Sequence, residues 1–205
     1  MKGPVRPYAS EFYSRELHED ACPVCGCQYA KDLPSDRKLH RSIHARNLSV
    51  FEPRPNKALA KRHAQSGPYI RVTAGSPKWM HRRLVLIATM FKREFGCDFV
   101  MWDESGDDCK GFIFADQDGR ARGGCALKWR EWSNSAPAWA LQWIWVAPPY
   151  RRRGILREAW CMLTKEFAGV IPEWPYSPAM AQFLLSCNDL PEVVRRYAID
   201  ALKKT

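Results

Sequence analysis

Cys22 and Cys25 stand two residues apart, fourteen residues separate Cys25 from His40, and three more separate His40 from His44. This spacing ties four distant side chains to one point in space. Two thiolates on a tight knuckle and two imidazoles one helical turn apart close tetrahedrally around zinc and leave no position for water. The pattern predicts a structural Zn2+ held by Cys22, Cys25, His40 and His44, in a module over residues 21–48 with Cys27 surplus.

Other cysteines carry no comparable spacing, and eight in a reducing compartment read as metal ligands plus buried thiols rather than a disulfide framework. The longest apolar run, Leu84 to Phe91, is far short of the roughly 20 residues a membrane-crossing helix needs. Residues 1–20 lack the apolar centre of a secretory signal, so the expected location is intracellular, with nothing to separate cytoplasm from nucleus. A net charge of +10 favours polyanionic partners: nucleic acid through a basic surface, a phosphorylated cofactor, or an acidic protein.

Beyond the cysteine and histidine cluster the expected order is as follows. A basic N-terminal arm covers 1–20, and a connector over 49–68 follows the finger. An α/β (α+β) domain then occupies 69–205, with Tyr69 to Val72 as a short strand. Ser76-Pro77 marks a helix entry, with Ser76 as cap; Met80, Leu84, Ile87, Phe91 and Phe95 recur at helical spacing, and Gly96 stops the helix. Asp98 to Trp102, Lys110 to Ala115 and Ala121 to Trp132 are expected strands, the last two joined by an Asp118-Gly119 turn. Ala138 to Val146 is the best strand and ends at Pro148-Pro149. Leu156, Trp160, Leu163 and Phe167 then lie on one helical face. Gly169 to Tyr176 is an expected strand, and Pro178 to Ser186 and Pro191 to Lys203 are expected helices.

Between the best strand and its helix lies Arg151-Arg152-Arg153-Gly154-Ile155-Leu156. A helix amino terminus presents unpaired amides and the positive end of its dipole, so a diphosphate can be cradled there, and Gly154 permits close approach. A tryptophan-rich strand, a diproline and this loop together resemble the acetyl-CoA site of the GNAT acetyltransferases. Their motif is Arg or Gln, two residues, Gly, one residue, Gly or Ala; Arg151 and Gly154 match, and Leu156 replaces the last small residue.

With the finger added, the chain resembles the cohesin acetyltransferases. The resemblance rests on Cys22-Pro-Val-Cys25-Gly26 with Tyr29, Asp36, His40 and His44, on Ser76-Pro77-Lys78-Trp79, on Ile144-Trp145-Val146, and on Tyr176-Ser177-Pro178. It covers Cys22 to Ser186 and implies a GNAT-like mixed sheet flanked by helices. It also implies acetyl-CoA bound at Trp145, Val146, Arg151, Arg152, Arg153, Gly154, Ile155 and Leu156, and acetyl transfer to a protein amine, a lysine. Ser177 stands where that family has an Asp, Cys161 where it has a Glu, and Gln142 where it has a Ser.

Catalysis needs a route for the amine proton. Glu173, on the strand expected beside the cofactor strand, is the candidate base. Ser177 is a second candidate, although Ser before Pro178 is also an ordinary helix cap. Cys161, between Trp160 and Met162, is expected to pack as a small hydrophobe. Two other readings stay open: a nucleic-acid-binding protein using the finger and basic loop, and a catalytically silent relative that binds a partner.

Overall fold

The structure, a computed structural model, describes residues 21–203 apart from 23, 98–99, 133–134 and 189. The N-terminal arm therefore lies outside the described residues. Its Lys2, Arg6 and Arg15 are outnumbered by Glu11, Glu16, Glu19 and Asp20, which corrects the expectation of a basic arm.

Among the described residues, twelve elements follow the finger knuckle. They run α1 (Pro34–Phe51), α2 (Lys57–Ser66), β1 (Tyr69–Val72), α3 (Lys78–Phe95), β2 (Cys109–Ala115), β3 (Ala121–Trp132), β4 (Ser135–Val146), a 3-10 turn (Pro148–Tyr150), α4 (Ile155–Glu166), β5 (Ile171–Pro172), α5 (Pro178–Leu185) and α6 (Glu192–Lys203). The five strands form one sheet in chain order, antiparallel from β1 to β4 and parallel between β4 and β5. This is the mixed α/β architecture expected.

Both faces of the sheet are covered, which is why β2 is buried almost throughout. Successive side chains of a strand point to opposite faces. Ile113 and Ala115 join Leu84 and Ile87 of α3, Trp143 and Trp145 in one core. Phe112 and Phe114 join Leu127, Leu141, Ala159 and Leu163 in the other, beneath α4, α5 and α6. No helix of the described residues is long and apolar enough to cross a membrane.

Four expectations about elements change. Ser76 does not cap α3: its hydroxyl accepts from the Thr73 amide at 3.0 Å, and Pro77 takes the cap position without a side-chain bond. Residues 100–102 form no strand; the Met101 carbonyl instead accepts the Trp143 indole N–H. The 169–176 strand shrinks to Ile171–Pro172, its last bond to β4 running from the Glu173 amide to Leu141 O. Cys161 is exposed on α4 rather than packed.

The segment after the finger is largely helical. α1 runs past His44 to Phe51, and Val50, 1% exposed, enters the same core as Leu84 and Trp145. Asn56 caps α2 through the Leu59 amide at 3.0 Å, and its own amide donates to Asp118 O in the β2–β3 turn. Gly119 sits in that turn at φ 76, so close that a Cβ would lie 2.1 Å from Asn56 O.

Candidate functional site

The finger begins with a knuckle. The Cys22 amide donates to Cys27 O at 3.0 Å and the Gly26 amide to Cys22 O at 2.8 Å, with Gly26 at φ 64 and a bridge between Ala21 and Gln28. Pro34 opens α1, where a missing N–H costs nothing, and the helix presents His40 and His44 one turn apart. The ligand atoms of Cys22, Cys25, His40 and His44 all lie within 4.8 Å of one another. Cys22 Sγ is 3.3 Å from His44 Nδ1, and His40 Nε2 is buried without a hydrogen-bond partner.

A buried imidazole nitrogen left orphaned among two thiols and a second imidazole fits a zinc ion. Burial lowers the His44 pKa, with the charge of His40 adding to it, so His44 stays in its ligating neutral form. Burial pushes the Cys25 thiol up to about 11, an effect that a divalent cation reverses by stabilising the thiolate. Tyr29 stacks on His40 at 3.8 Å and fixes that ring's orientation.

On the sheet, β4 and β5 pair only at Ala140↔Ile171 and Leu141↔Pro172, with the Glu173 amide adding a bond to Leu141 O at 2.9 Å. The register of β3 against β4 then slips: Leu127 faces Leu141 while Ala126 faces Trp143, so Gln142 is an extra residue, a bulge. A bulge bends its strand and ends pairing. Beyond it, from Trp143 to Val146, β4 has no strand partner on the β5 side among the described residues. The sheet opens there.

The opening leads to the basic loop. Gly154 occupies the N-cap of α4 at φ 82, and no side chain caps the helix. Arg152 is the one described non-glycine residue at positive φ, 61°, a conformation that costs energy for a side chain. Two left-handed residues before a helix turn backbone amides toward a common point, an anion-binding concavity. Arg152, Arg153 and Gly154 are exposed, Leu156 is half-buried and Ile155 is buried beneath α4. The loop therefore fits a diphosphate by its backbone and by two of its three arginines.

Arg151 turns the other way. Its Nε donates to Val146 O at 2.8 Å, both Nη atoms donate to Glu94 at 3.0 and 2.7 Å, and its guanidinium lies over the Trp145 ring. Trp145 Nε1 also donates to Glu94, at 2.8 Å. Arg151 thus braces the end of β4 against α3, and Glu94 is the residue that sequence reasoning missed. An acidic residue near a helix end gave no signal, since its partners are 51 and 57 positions away.

Glu173 emerges beside the bulge. Arg130 Nε donates to its Oε1 at 2.6 Å, and Arg130 Nη2 and Gln142 Nε2 each lie 3.5 Å from its Oε2. The bond to Glu173 raises the Arg130 pKa further, although burial opposes it. Ser177 caps α5, its hydroxyl accepting from the Met180 amide at 3.2 Å. The structure thus brings Glu173 to the opening of the sheet, and Ser177 to a helix cap. Ser177→Ala should cost about 1 kcal/mol of stability through the lost cap. Urea unfolding of variant and parent measures it.

Residues 11–46 match the zinc-finger of acetyl-transferase ESCO, and residues 82–169 match the acetyltransferase (GNAT) family. The chain thus carries a match to an ESCO-type zinc finger, a structural zinc module, followed by a match to the GNAT acetyltransferases, which use acetyl-CoA as cosubstrate. Comparison with the curated proteins finds no match. Among solved structures, the xEco2 acetyltransferase domain is similar at a TM-score of 0.44 and 15% identity, over 56% of this chain and 81% of that one. Aminoglycoside N-acetyltransferase AAC(6')-Iy in complex with CoA is similar at 0.41 and 17%, over 57% and 90%. The ribosomal-protein-alanine N-acetyltransferase of Brucella melitensis is similar at 0.38 and 14%, over 60% and 94%.

Proposed function

We propose that this acetyltransferase moves the acetyl group of acetyl-CoA onto a protein amine, the side chain of a lysine, at the opening between β4 and β5. The single observation that carries the reading is the juxtaposition along β4: the bulge at Gln142, the unpaired edge from Trp143 to Val146, and the uncapped helix at Gly154. Acetyl-CoA supplies a thioester whose C–S bond breaks as the C–N bond forms. In this reading the amides of Arg152 to Leu156, with the side chains of Arg152 and Arg153, hold the diphosphate. The free edge of β4 near Trp145 and Val146 pairs with the amide-bearing arm, and Arg151 keeps that edge in place through Val146 O. The domains we assign are the finger at 21–48, a connector at 49–68 and the catalytic domain at 69–205.

Glu173 is the proton acceptor in this proposal. Arg130 and Gln142 orient its carboxylate beside the opening, and the proton leaving the attacking amine passes to Glu173 directly or through one water. The departing thiolate takes a proton from solvent. Ser177 takes no part beyond its cap.

Glu173→Gln keeps the shape but removes the base. It should lower turnover by about 10²–10⁴-fold at saturating acetyl-CoA while leaving acetyl-CoA affinity unchanged. Labelled acetyl-CoA incubated with a cell extract identifies the acceptor, and rates on that acceptor follow. Near-normal turnover of the Gln variant would replace Glu173 with the free amine's own deprotonation equilibrium. One observation favours a silent relative: both Glu173 oxygens already face donors of the chain itself. Acetyl-CoA binding with no label on any protein would decide for that reading.

A further inference from the structure

Charge is distributed along this chain in a way that acetyl transfer does not need. Between residues 31 and 83 thirteen Lys and Arg stand against three Asp and Glu; the rest of the chain has 19 of each sign. All of the +10 net charge therefore belongs to the segment that contains α1, α2 and the start of α3. On the two leading helices, Arg37, Lys38, Arg41, Arg46, Lys57 and Lys61 are all exposed. None of these six forms an ion pair with a described residue. By contrast Arg71, Arg120, Arg130 and Arg151 are each paired with a carboxylate.

A groove of about 450 Å3 opens beside the zinc ligands, lined by Tyr29, Lys31, Arg37, His40 and Arg41. Arg37 and Arg41 are one turn apart on α1, linked by an Arg41 Nε bond to Arg37 O at 3.3 Å. Tyr29 is clamped flat on His40, 7° from parallel. The groove therefore offers two guanidinium forks, an ammonium and an aromatic ring that zinc ligation would hold still. We infer that this face of the finger, continuing along the exposed cations of α1, binds the phosphate backbone of a nucleic acid, with the Tyr29 ring available to a base.

Phosphate is what guanidinium forks match bidentately, and a regular polyanion is what a run of unpaired cations attracts. Stacking on a fixed aromatic ring complements the charge without demanding a particular sequence. An acidic peptide would meet the charge but has no planar base for the ring. This inference stands apart from the acetyltransferase reading, whose support lies on β4 and the loop before α4.

Fluorescence anisotropy of the full, zinc-loaded chain tests it with three probes of equal length: a 20-nucleotide single strand of mixed sequence, the corresponding duplex, and polyglutamate. Binding to at least one DNA is expected, tighter than to polyglutamate, and weakening steeply between 50 and 200 mM salt. Arg37→Gln with Arg41→Gln should weaken it at least tenfold and lower the salt slope by about 2. Arg195→Gln with Arg196→Gln on α6, which removes the same charge, should change it less than twofold. Zinc content is measured on each variant. Should the helix variant lose zinc, Lys31→Gln with Lys38→Gln replaces it under the same expectation of a lowered slope. No DNA binding at 50 mM salt, equal losses in the α1 and α6 variants, or polyglutamate binding as tight as DNA would each overturn the inference. Calorimetry with acetyl-CoA on the same variants should show unchanged affinity, so the two readings are scored separately.

Discussion

Gly154→Glu is expected to abolish measurable acetyl-CoA binding, a loss of at least 100-fold, while the fold persists. Two effects act together. Gly154 sits at φ 82, where any L side chain is strained by about 1–3 kcal/mol, so the substitution pulls the loop away from the geometry that aims its amides. The new carboxylate also enters a positive helix end that already has Glu158 nearby; a Cβ at Gly154 would lie 3.6 Å from Glu158 Oε1. That distance is an ordinary contact, so crowding is not the cause. Gly154→Ala separates the two contributions: it keeps the strain without the charge and should weaken binding by an intermediate amount. Titration calorimetry measures both. Parent-like affinity in the Glu variant would move the cofactor away from this loop and remove the main support for the proposed site.

Replacing Cys25 with Ala is expected to remove the single bound zinc and melt the finger. Structural zinc contributes an apparent binding free energy of about 10–16 kcal/mol at neutral pH, and here much of that energy is folding energy, since the knuckle is only six residues long and buries little else. Melting should stop partway along α1. Val50 is 1% exposed in the main core, Phe51 meets the Trp145 ring edge-on at 6.1 Å, and Arg83 Nη1 donates to Ser49 O at 3.3 Å. These contacts hold the last turn of the helix without metal. Metal analysis of freshly purified, reduced protein should give one equivalent in the parent and none in the variant. Amide exchange should show protection lost around His40 and kept around Val50. A parent free of zinc, or protection lost along the whole sheet in the variant, would contradict this account.

Legibility from sequence followed the range of the interaction. The ligand spacing of Cys22, Cys25, His40 and His44, the period of Met80, Leu84 and Ile87, and the order strand, loop, helix around Gly154 are each written within one short stretch. Each of those stretches has a single geometry that satisfies it. Expectations failed where a local preference met a stronger partner elsewhere. Ser76 is a good cap in isolation, yet the Thr73 amide takes its hydroxyl. Cys161 resembles a core residue between two apolar neighbours, but it falls on the solvent side of a helix whose buried stripe is Ile155, Ala159, Trp160 and Leu163.

What the sequence determined by itself is the cysteine and histidine cluster, helices α3 to α6 and the strand, loop and helix order around Gly154, because their constraints act between residues no more than about twenty positions apart. In contrast, α2 was not legible in the stretch expected as a connector. Only the tertiary structure decided where the sheet opens and what stands at the opening. The bulge at Gln142 is visible only in the pairing of β3 with β4, where Ala126 faces Trp143 and Leu127 faces Leu141. Glu173 reaches Arg130 across 43 positions, and Arg151 reaches Glu94 across 57. An ion pair across such a separation leaves no trace in either local sequence. Its energy depends on distance in space, which only the packed sheet supplies.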